Sequence, residues 1–378
     1  MSNLSSHKES AQPLGPLPTY ASSVTSPHYK MPYIPNDTVF RPVYDPHMPQ
    51  EWLGQEEGKQ SSRTPAGFTY SQSIDVAARR GPWWKFGFER GLSVGLFVFF
   101  AGAVVGFALS RTPLINFYKL LKLTTPGEGY WYLRPPFKAS VIVHIVTCLP
   151  ASFFSVFCFL PMTWARWPRF HGVLGYIVSV LLVVSCACGA VLGRRAQGGD
   201  LNVQSGVYML ASATAGAVIM GCITARRGAI DEHREWMLRA WFYNGTFVTT
   251  RVTALISAQV ITAINSYYSL WKCVEVGYVL KSAGALAQAY PQCGTPSALQ
   301  DPHSARVAVH ASWHEGKLGR GSAIRASFGM SLWVAMILHF VGIELYLRMT
   351  MAESKRLREW SEQRANASAQ AELPRRMP

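Results

Sequence analysis

The amino-acid sequence predicts an all-α integral membrane protein, a bundle of about six transmembrane helices with a disordered N-terminal tail. Of its 378 residues, 49% are hydrophobic and 15% are charged, whereas soluble domains carry about a quarter charged residues. The charge is also unevenly distributed, because the first eighty residues are polar and Pro-rich while long central runs carry almost none. This segregation is typical of a membrane protein rather than of one large soluble core.

Residues 1–85 are predicted to form the disordered tail. They are rich in Ser, Pro and Tyr and show neither helical nor alternating periodicity, so they cannot bury a core. The first apolar run begins near Gly91, which is too late for a cleavable signal peptide. We therefore expect the first helix to act as its own insertion signal.

The helical bundle is predicted over residues 86–350. Apolar runs of about 20 residues, long enough to cross ~30 Å of hydrocarbon, define the spans. They are residues 92–109, 139–160, 171–192, 203–223, 236–264 and 324–347. A long loop, 265–323, separates the last two spans, and its segment 270–290 is interpreted as an interfacial helix. A charged tail, 351–378, follows and is expected to be a frayed helix.

The net charge of +15 comes largely from Lys and Arg beside apolar runs, as in Arg226-Arg227. This placement indicates topology control and contact with the lipid bilayer rather than nucleic-acid binding. An even number of spans puts both tails on one side, and a modest excess of basic residues flanks that side. Both termini are therefore predicted to be cytoplasmic, in either the plasma membrane or an endomembrane.

The seven cysteines divide into two groups. Five lie inside predicted spans, where a thiol behaves as a small apolar group. Cys273 and Cys293 lie in the long loop, which the predicted topology places in an oxidising compartment. They are predicted to form a disulfide, with two unrelated free thiols as the alternative.

Ionisable groups inside apolar spans are costly and by default indicate function. The candidates are His144, Arg251, His339 and Glu344. Arg251, in the fifth span, requires a partner, and Glu344 or His339 would supply it in a structural salt bridge. The same span carries Asn244, Thr246, Thr249, Thr250 and Thr253, so we expect it to face the bundle interior and to form the wall of any site.

Two further histidines, His171 and His233, stand at similar depth at the starts of neighbouring spans. Haem b iron takes two neutral imidazoles on facing helices, with cations near its propionates. His171 and His233 would supply the imidazoles, and Arg234 and Arg239 the cations. The alternative interpretation gives both histidines a structural or lipid-facing role.

Other site chemistries have less support. His144 and Met209 are a second conceivable axial pair, since both lie ~9 Å deep from the same side. The sequence contains no Gly-rich phosphate loop, no HExxH motif and no Cys pair with zinc spacing, so no protein-ligated metal site is predicted.

Residues 139–260 resemble the family catalogued as domain of unknown function 2306, predicted multi-pass membrane proteins. The matching positions are His144, His171, Gly175, Gly193, the run His233-Arg234-Glu235-Trp236-Met237-Leu238-Arg239 and Thr249-Thr250-Arg251. The chain departs from the family at Gly172 and Tyr176, where the family carries basic residues. The resemblance implies a membrane bundle and no established activity.

A looser similarity, in helix order and histidine placement, is to two-haem transmembrane b cytochromes. Because the fourth span here lacks a histidine, it implies at most one complete bis-histidine site. The leading hypothesis is a redox-associated protein that holds a haem or a small lipophilic ligand between its helices. The alternatives are a non-enzymatic transporter or accessory protein in a biosynthetic pathway, and a structural protein that binds partners through the Pro-rich tail. No catalytic residue is assigned.

Overall fold

The computed structural model describes residues 91–372, and in this part of the chain six helices are long and apolar enough to cross a membrane. We call them spans 1–6: Ser93–Ile115, Phe137–Phe159, Pro168–Gly193, Leu201–Arg227, Ile230–Ile264 and Gly316–Met349. The predicted fold class, a six-span all-α membrane bundle, is confirmed. The tail predicted over residues 1–85 lies outside the described residues.

Spans 5 and 6 begin earlier than predicted, at Ile230 and Gly316 instead of 236 and 324. Their added turns contain charged residues, so hydropathy does not detect them. Contacts outside the bundle hold these turns in the helix. Arg358 donates to Asp231 at 3.0 Å, and Ser322 donates to the carbonyl of Val309 at 2.6 Å. Apolarity therefore marks the part of each helix that suits lipid, while packing determines its full length.

The bundle core lies where spans 4, 5 and 6 meet. Its buried residues are Val203, Val207, Leu210, Ala254, Phe328, Leu332 and Met336. Small residues permit this close packing, because a Cβ added at Gly206 would lie 2.8 Å from Leu332. A Cβ at Gly221 would likewise lie 2.8 Å from Met237.

Short elements connect the spans. Helices Phe117–Leu123 and Glu128–Tyr132 join spans 1 and 2, and helix Pro161–Arg166 joins spans 2 and 3. A 3-10 turn, Ala196–Gly199, joins spans 3 and 4. We call the end of the bundle that carries residues 265–315 the loop face, and the opposite end the tail face.

Residues 265–315 form a small folded unit, here called the cap. Strands β1 (Tyr268–Lys272) and β2 (Arg306–His310) pair antiparallel, with Tyr268 opposite His310. Helices Cys273–Leu280, Ala283–Ala289 and Pro296–Gln300 lie between them. The single interfacial helix expected over 270–290 is therefore wrong, because β1 pairs with a strand more than thirty residues further along the chain.

A disulfide joins Cys273 to Cys293 inside the cap, with their Cα atoms 5.6 Å apart. Both cysteines pack with Val276, Val307 and Trp271, which is completely buried. The cap thus has an apolar core of its own, which the length and polarity of the loop did not predict.

A buried ion pair connects the cap to span 6. Arg325 Nη1 lies 2.7 Å from Glu275 Oε2, and both side chains are 2% exposed or less. Trp131 Nε1 donates to the other oxygen of Glu275 at 2.6 Å. The Arg325 guanidinium also stacks 3.6 Å from the ring centre of Trp271. One carboxylate therefore joins the cap, span 6 and the connection between spans 1 and 2.

At the tail face a helix, Met351–Glu372, follows span 6. It contacts the first turns of span 5, where Arg358 pairs with Asp231 and Glu353 pairs with Arg234 at 3.0 Å. The expected frayed tail is therefore a helix as far as Glu372, and its part up to Ser361 contacts span 5.

Glu275→Ala should destabilise the protein strongly. It leaves the Arg325 charge buried without a counter-ion, which costs about 3–5 kcal/mol. The matched control is Glu359→Ala, since Glu359 pairs with Lys355 on the surface, where the side chains are 58% and 78% exposed. That change should cost less than about 1 kcal/mol. Equal shifts in the thermal unfolding midpoint of the two variants, measured in detergent, would contradict the assignment.

Candidate functional site

His171 and His233 lie side by side at the tail face, on spans 3 and 5. Their ring centroids are 6.4 Å apart and their planes are nearly perpendicular, at 88°. His233 Nδ1 lies 2.8 Å from the carbonyl oxygen of Gly221. Because a carbonyl only accepts, Nδ1 carries the hydrogen and Nε2 keeps its lone pair. His171 Nδ1 is buried and lacks a hydrogen-bond partner among the described residues.

This geometry fits an imidazole pair on one metal centre. An imidazole nitrogen lies about 2 Å from a bound metal, so rings on opposite sides of one ion have centroids roughly 6 Å apart. In residues 91–372, no group of three or more His, Cys, Asp or Glu side chains is placed to hold a metal ion.

The arginines expected near haem propionates are already paired. Arg234 Nη2 lies 3.0 Å from Glu353 of the C-terminal helix. Arg239 forms a bidentate contact with Glu344, at 2.7 Å through Nε and 3.1 Å through Nη2. The expectation that both guanidiniums are available to an incoming anion is corrected, because carboxylates from span 6 and the following helix reach them first.

The partner predicted for Arg251 is also wrong. Glu344 binds Arg239, and His339 Nε2 lies 2.8 Å from the hydroxyl of Thr249. Arg251 lies twelve residues beyond Arg239, about 18 Å further along the helix, so Glu344 cannot serve both. Arg251 Nε is buried without a hydrogen-bond partner among the described residues. Its guanidinium lies 5.2 Å from the ring centre of Phe328.

His144 joins spans 2 and 3. Its Nδ1 lies 2.9 Å from the carbonyl oxygen of Ser185 and 3.1 Å from the hydroxyl of the same residue. Nδ1 therefore carries the hydrogen, and the lone pair is on Nε2. Met209, the conceivable axial partner, is 46% exposed on span 4, whereas the hydrogen bonds of His144 lie on span 3.

On the polar face of span 5, two threonine hydroxyls donate hydrogen bonds to carbonyls of the same helix. The Thr250 hydroxyl donates to the carbonyl of Thr246 at 2.8 Å, and that of Thr253 to the carbonyl of Thr249 at 3.0 Å. Threonines in helices commonly bond back in this way. Asn244 is half-buried beside this row. Thr246 Oγ1 and Arg251 Nε are both buried without a hydrogen-bond partner among the described residues, and of these two residues only Arg251 is an ionisable one.

Sequence patterns did not identify two ionisable residues on which Arg251 acts electrostatically. Arg251 lies within electrostatic reach of Arg111, at the end of the first helix, and of Tyr132. Burial raises the pKa of the Tyr132 phenol, Glu128 raises it further, and Arg251 opposes the rise. Tyr132 belongs to a five-residue helix between spans, where no periodicity marks a buried position.

Glu128 is a buried carboxylate that sequence patterns also did not identify. Its oxygens accept hydrogen bonds from the Gln197 backbone at 3.0 Å, the Thr124 hydroxyl at 2.8 Å and the Tyr132 hydroxyl at 3.4 Å. These donors are neutral. Glu128 therefore stabilises the connections at the loop face without forming an ion pair in the described part of the chain.

Residues 141–281 match the model of a family described as predicted membrane protein, domain of unknown function 2306. The match covers a little more than a third of the chain and confirms the resemblance stated from the sequence. It contains His144, His171, His233, Arg239 and Arg251 and continues into the cap. No curated protein and no solved structure matches the chain.

Two arginine substitutions on span 5 should have opposite consequences for stability. Arg239→Met leaves Glu344 without its bidentate partner and should lower the free energy of unfolding by about 1 kcal/mol. Arg251→Met removes an unpaired guanidinium and places a thioether against Phe328, so the thermal midpoint in neutral detergent should not fall. A loss for Arg251→Met as large as for Arg239→Met would show that Arg251 is paired.

Proposed function

We propose that this multi-pass membrane protein is redox-associated and binds one haem-type cofactor between spans 3 and 5, which His171 and His233 would hold. The observation that supports this is the imidazole pair itself. The two ring centroids lie 6.4 Å apart, and one Nδ1 is buried and unbonded.

Each residue of the pair has a distinct role in this proposal. The hydrogen bond from His233 Nδ1 to the Gly221 carbonyl holds the ring in place and makes Nε2 the ligand atom, the arrangement found around most metal-binding histidines. His171, from the opposite helix, brings a polar atom that the protein leaves unsatisfied. When bound, haem iron would supply one-electron transfer.

Two ion pairs at the tail face support the position that this proposal gives to His233. Arg239 with Glu344 joins spans 5 and 6, and Arg234 with Glu353 joins span 5 to the C-terminal helix. These contacts hold the start of span 5, and therefore His233, against its neighbours. In this proposal the two arginines position the ligand helix rather than bind the cofactor.

The haem proposal is tested by the absorption spectrum of protein purified from cells supplied with iron and a haem precursor. We expect a Soret band with one haem per chain by the pyridine haemochrome assay. His171→Ala and His233→Ala should each remove it. The control His303→Ala lies on the exposed cap and should keep it. A colourless wild-type protein, or unchanged bands in both histidine variants, would refute the proposal.

We also propose that the tail face is cytoplasmic. The start of span 1 and the end of span 6 lie on the same face, and the cap on the other face contains the disulfide. Disulfides persist in oxidising compartments outside the cytosol. The basic residues that flank the tail face also agree with the positive-inside rule.

Glycosylation in microsomes tests this orientation. Pro302→Asn creates an Asn-x-Ser acceptor at the cap, and we expect one added glycan that an endoglycosidase removes. The chain supplies its own control, since Asn366-Ala367-Ser368 in the C-terminal helix is an acceptor sequence that should remain unmodified. Modification of Asn366 together with an unmodified Pro302→Asn cap would establish the opposite topology.

A further inference from the structure

The loop face carries a group of cations around the ring of Trp131. The guanidinium of Arg195, in the connection between spans 3 and 4, lies 4.1 Å from the centre of this ring. Lys272 Nζ, at the end of strand β1, lies 5.7 Å from the same centre. Lys272 also stands directly opposite Arg306 of strand β2. Three basic side chains from two distant segments are therefore brought together.

Arg134 adds a fourth cation from the connection between spans 1 and 2. Its guanidinium lies 3.5 Å from the ring centre of Tyr130. The Tyr130 ring packs edge-on against Trp131, with the ring centroids 5.1 Å apart. The connection between spans 1 and 2, the connection between spans 3 and 4, and the cap thus contribute to one cationic cluster. Its members are Arg134, Arg195, Lys272 and Arg306.

The carboxylates near the cationic cluster are already used by other groups. Glu275 directs one oxygen at Arg325 and accepts a hydrogen bond from Trp131 with the other. Asp301 Oδ1 accepts from two backbone N–H groups of the turn that follows it. Glu128 accepts from neutral donors. Within residues 91–372, no member of the cluster forms an ion pair.

Repulsion among these cations is unfavourable for the cap. Like charges directly opposite each other on paired strands destabilise the pairing, and Lys272 and Arg306 stand in this relation. Burial lowers the pKa of Lys272, as do Arg195 and Arg306. Glu275 and Asp301 act in the opposite direction without restoring it. An anion bound at the cluster would offset this repulsion.

The cationic cluster lies where the spans leave the hydrocarbon. Arg134 precedes span 2, which begins at Phe137, and Arg195 follows span 3, which ends at Gly193. Both are within three residues of a span end, which is the depth of the lipid head groups. Leu133, next to Arg134, is 45% exposed. Basic residues at this depth are suited to the phosphate groups of lipids.

We propose that the cationic cluster binds the phosphate group of an anionic phospholipid in the leaflet on the loop face, while the acyl chains remain in the bilayer. The guanidiniums of Arg134 and Arg195 can each donate two N–H groups to a pair of phosphate oxygens. Lys272 acts as a single compact charge. Arg306 adds to the attraction from the exposed edge of the cap.

This inference goes beyond the haem proposal and is independent of it. His171 and His233 lie at the tail face, whereas the cationic cluster lies at the loop face. Loss of the Soret band tests the histidines, and loss of phospholipid binding tests the cluster. The site is defined by the loop face, so it holds for either orientation of the protein in the membrane.

The experiment measures binding of fluorescently labelled phosphatidic acid to the full chain in a neutral detergent, with unlabelled competitors. Phosphatidylcholine carries a choline cation, which the cluster repels, and should compete at least about tenfold more weakly than phosphatidic acid. Glycerol 3-phosphate has the phosphate without acyl chains and should compete at least about a hundredfold more weakly, because it gains no apolar burial. Equal competition by phosphatidylcholine would overturn the proposal. Equal competition by glycerol 3-phosphate would identify a free phosphate ligand and overturn the assignment to a lipid.

Arg195→Gln and Lys272→Gln should each weaken binding of phosphatidic acid by about threefold to tenfold, because each removes one charge-assisted contact. The control Arg226→Gln removes an exposed arginine from the tail-face end of span 4 and should leave binding unchanged. If Arg195→Gln fails to fold because it loses its stack on Trp131, the exposed Arg306→Gln decides and should weaken binding about threefold. Wild-type affinity in the folded cluster variants, or an equal loss in Arg226→Gln, would overturn the proposal.

Discussion

The contact between Glu275 and Arg325 is the constraint on which the loop face depends. Further hydrogen bonds offset the cost of burying a carboxylate and a guanidinium, and here Trp131 donates the second bond to the carboxylate. Arg325 Nε and Nη2 have no hydrogen-bond partner among the described residues, and the guanidinium stacks on Trp271 instead. The guanidinium is enclosed closely enough that a Cβ at Gly127 would lie 2.6 Å from Arg325 Nη2. The cap, span 6 and the connection between spans 1 and 2 are distant in sequence, and these contacts therefore fix their positions relative to one another. The cap cannot tilt or slide without separating a buried charge pair.

The tail face is held by a different kind of interaction. Its ion pairs are partly exposed, as in Arg239 with Glu344, where the side chains are 17% and 50% exposed. Such pairs contribute little individually, but together they align span 5 with span 6 and the C-terminal helix. His233 stands on the turns that they align. The two ends of the bundle thus differ. One strong, buried ion pair stabilises the loop face, whereas several weak, partly exposed ion pairs stabilise the tail face.

Span 5 joins these two ends, with His233 near the tail face and Arg251 nearer the loop face. Near the tail face, the Gly221 carbonyl orients the imidazole of His233. This orientation leaves Nε2 as the nitrogen that is suited to bind a metal. Toward the loop face, Arg251 Nε is buried without a hydrogen-bond partner among the described residues, and the guanidinium lies 5.2 Å from the ring centre of Phe328. Between them, Thr250 and Thr253 bond to their own backbone, Thr249 contacts His339, and Thr246 Oγ1 has no hydrogen-bond partner among the described residues.

The sequence by itself determined the six spans, because a long apolar run has one low-energy arrangement in lipid, a helix that satisfies its own backbone. It also placed His171 and His233 at one depth, since helix rise is constant. Only the tertiary structure decided which charges meet. Arg239 rather than Arg251 binds Glu344, because rotation and register between helices leave no trace in hydropathy. The cap, with Glu275 and Arg325 at its base, depended on strand pairing across a long loop, which local patterns do not encode.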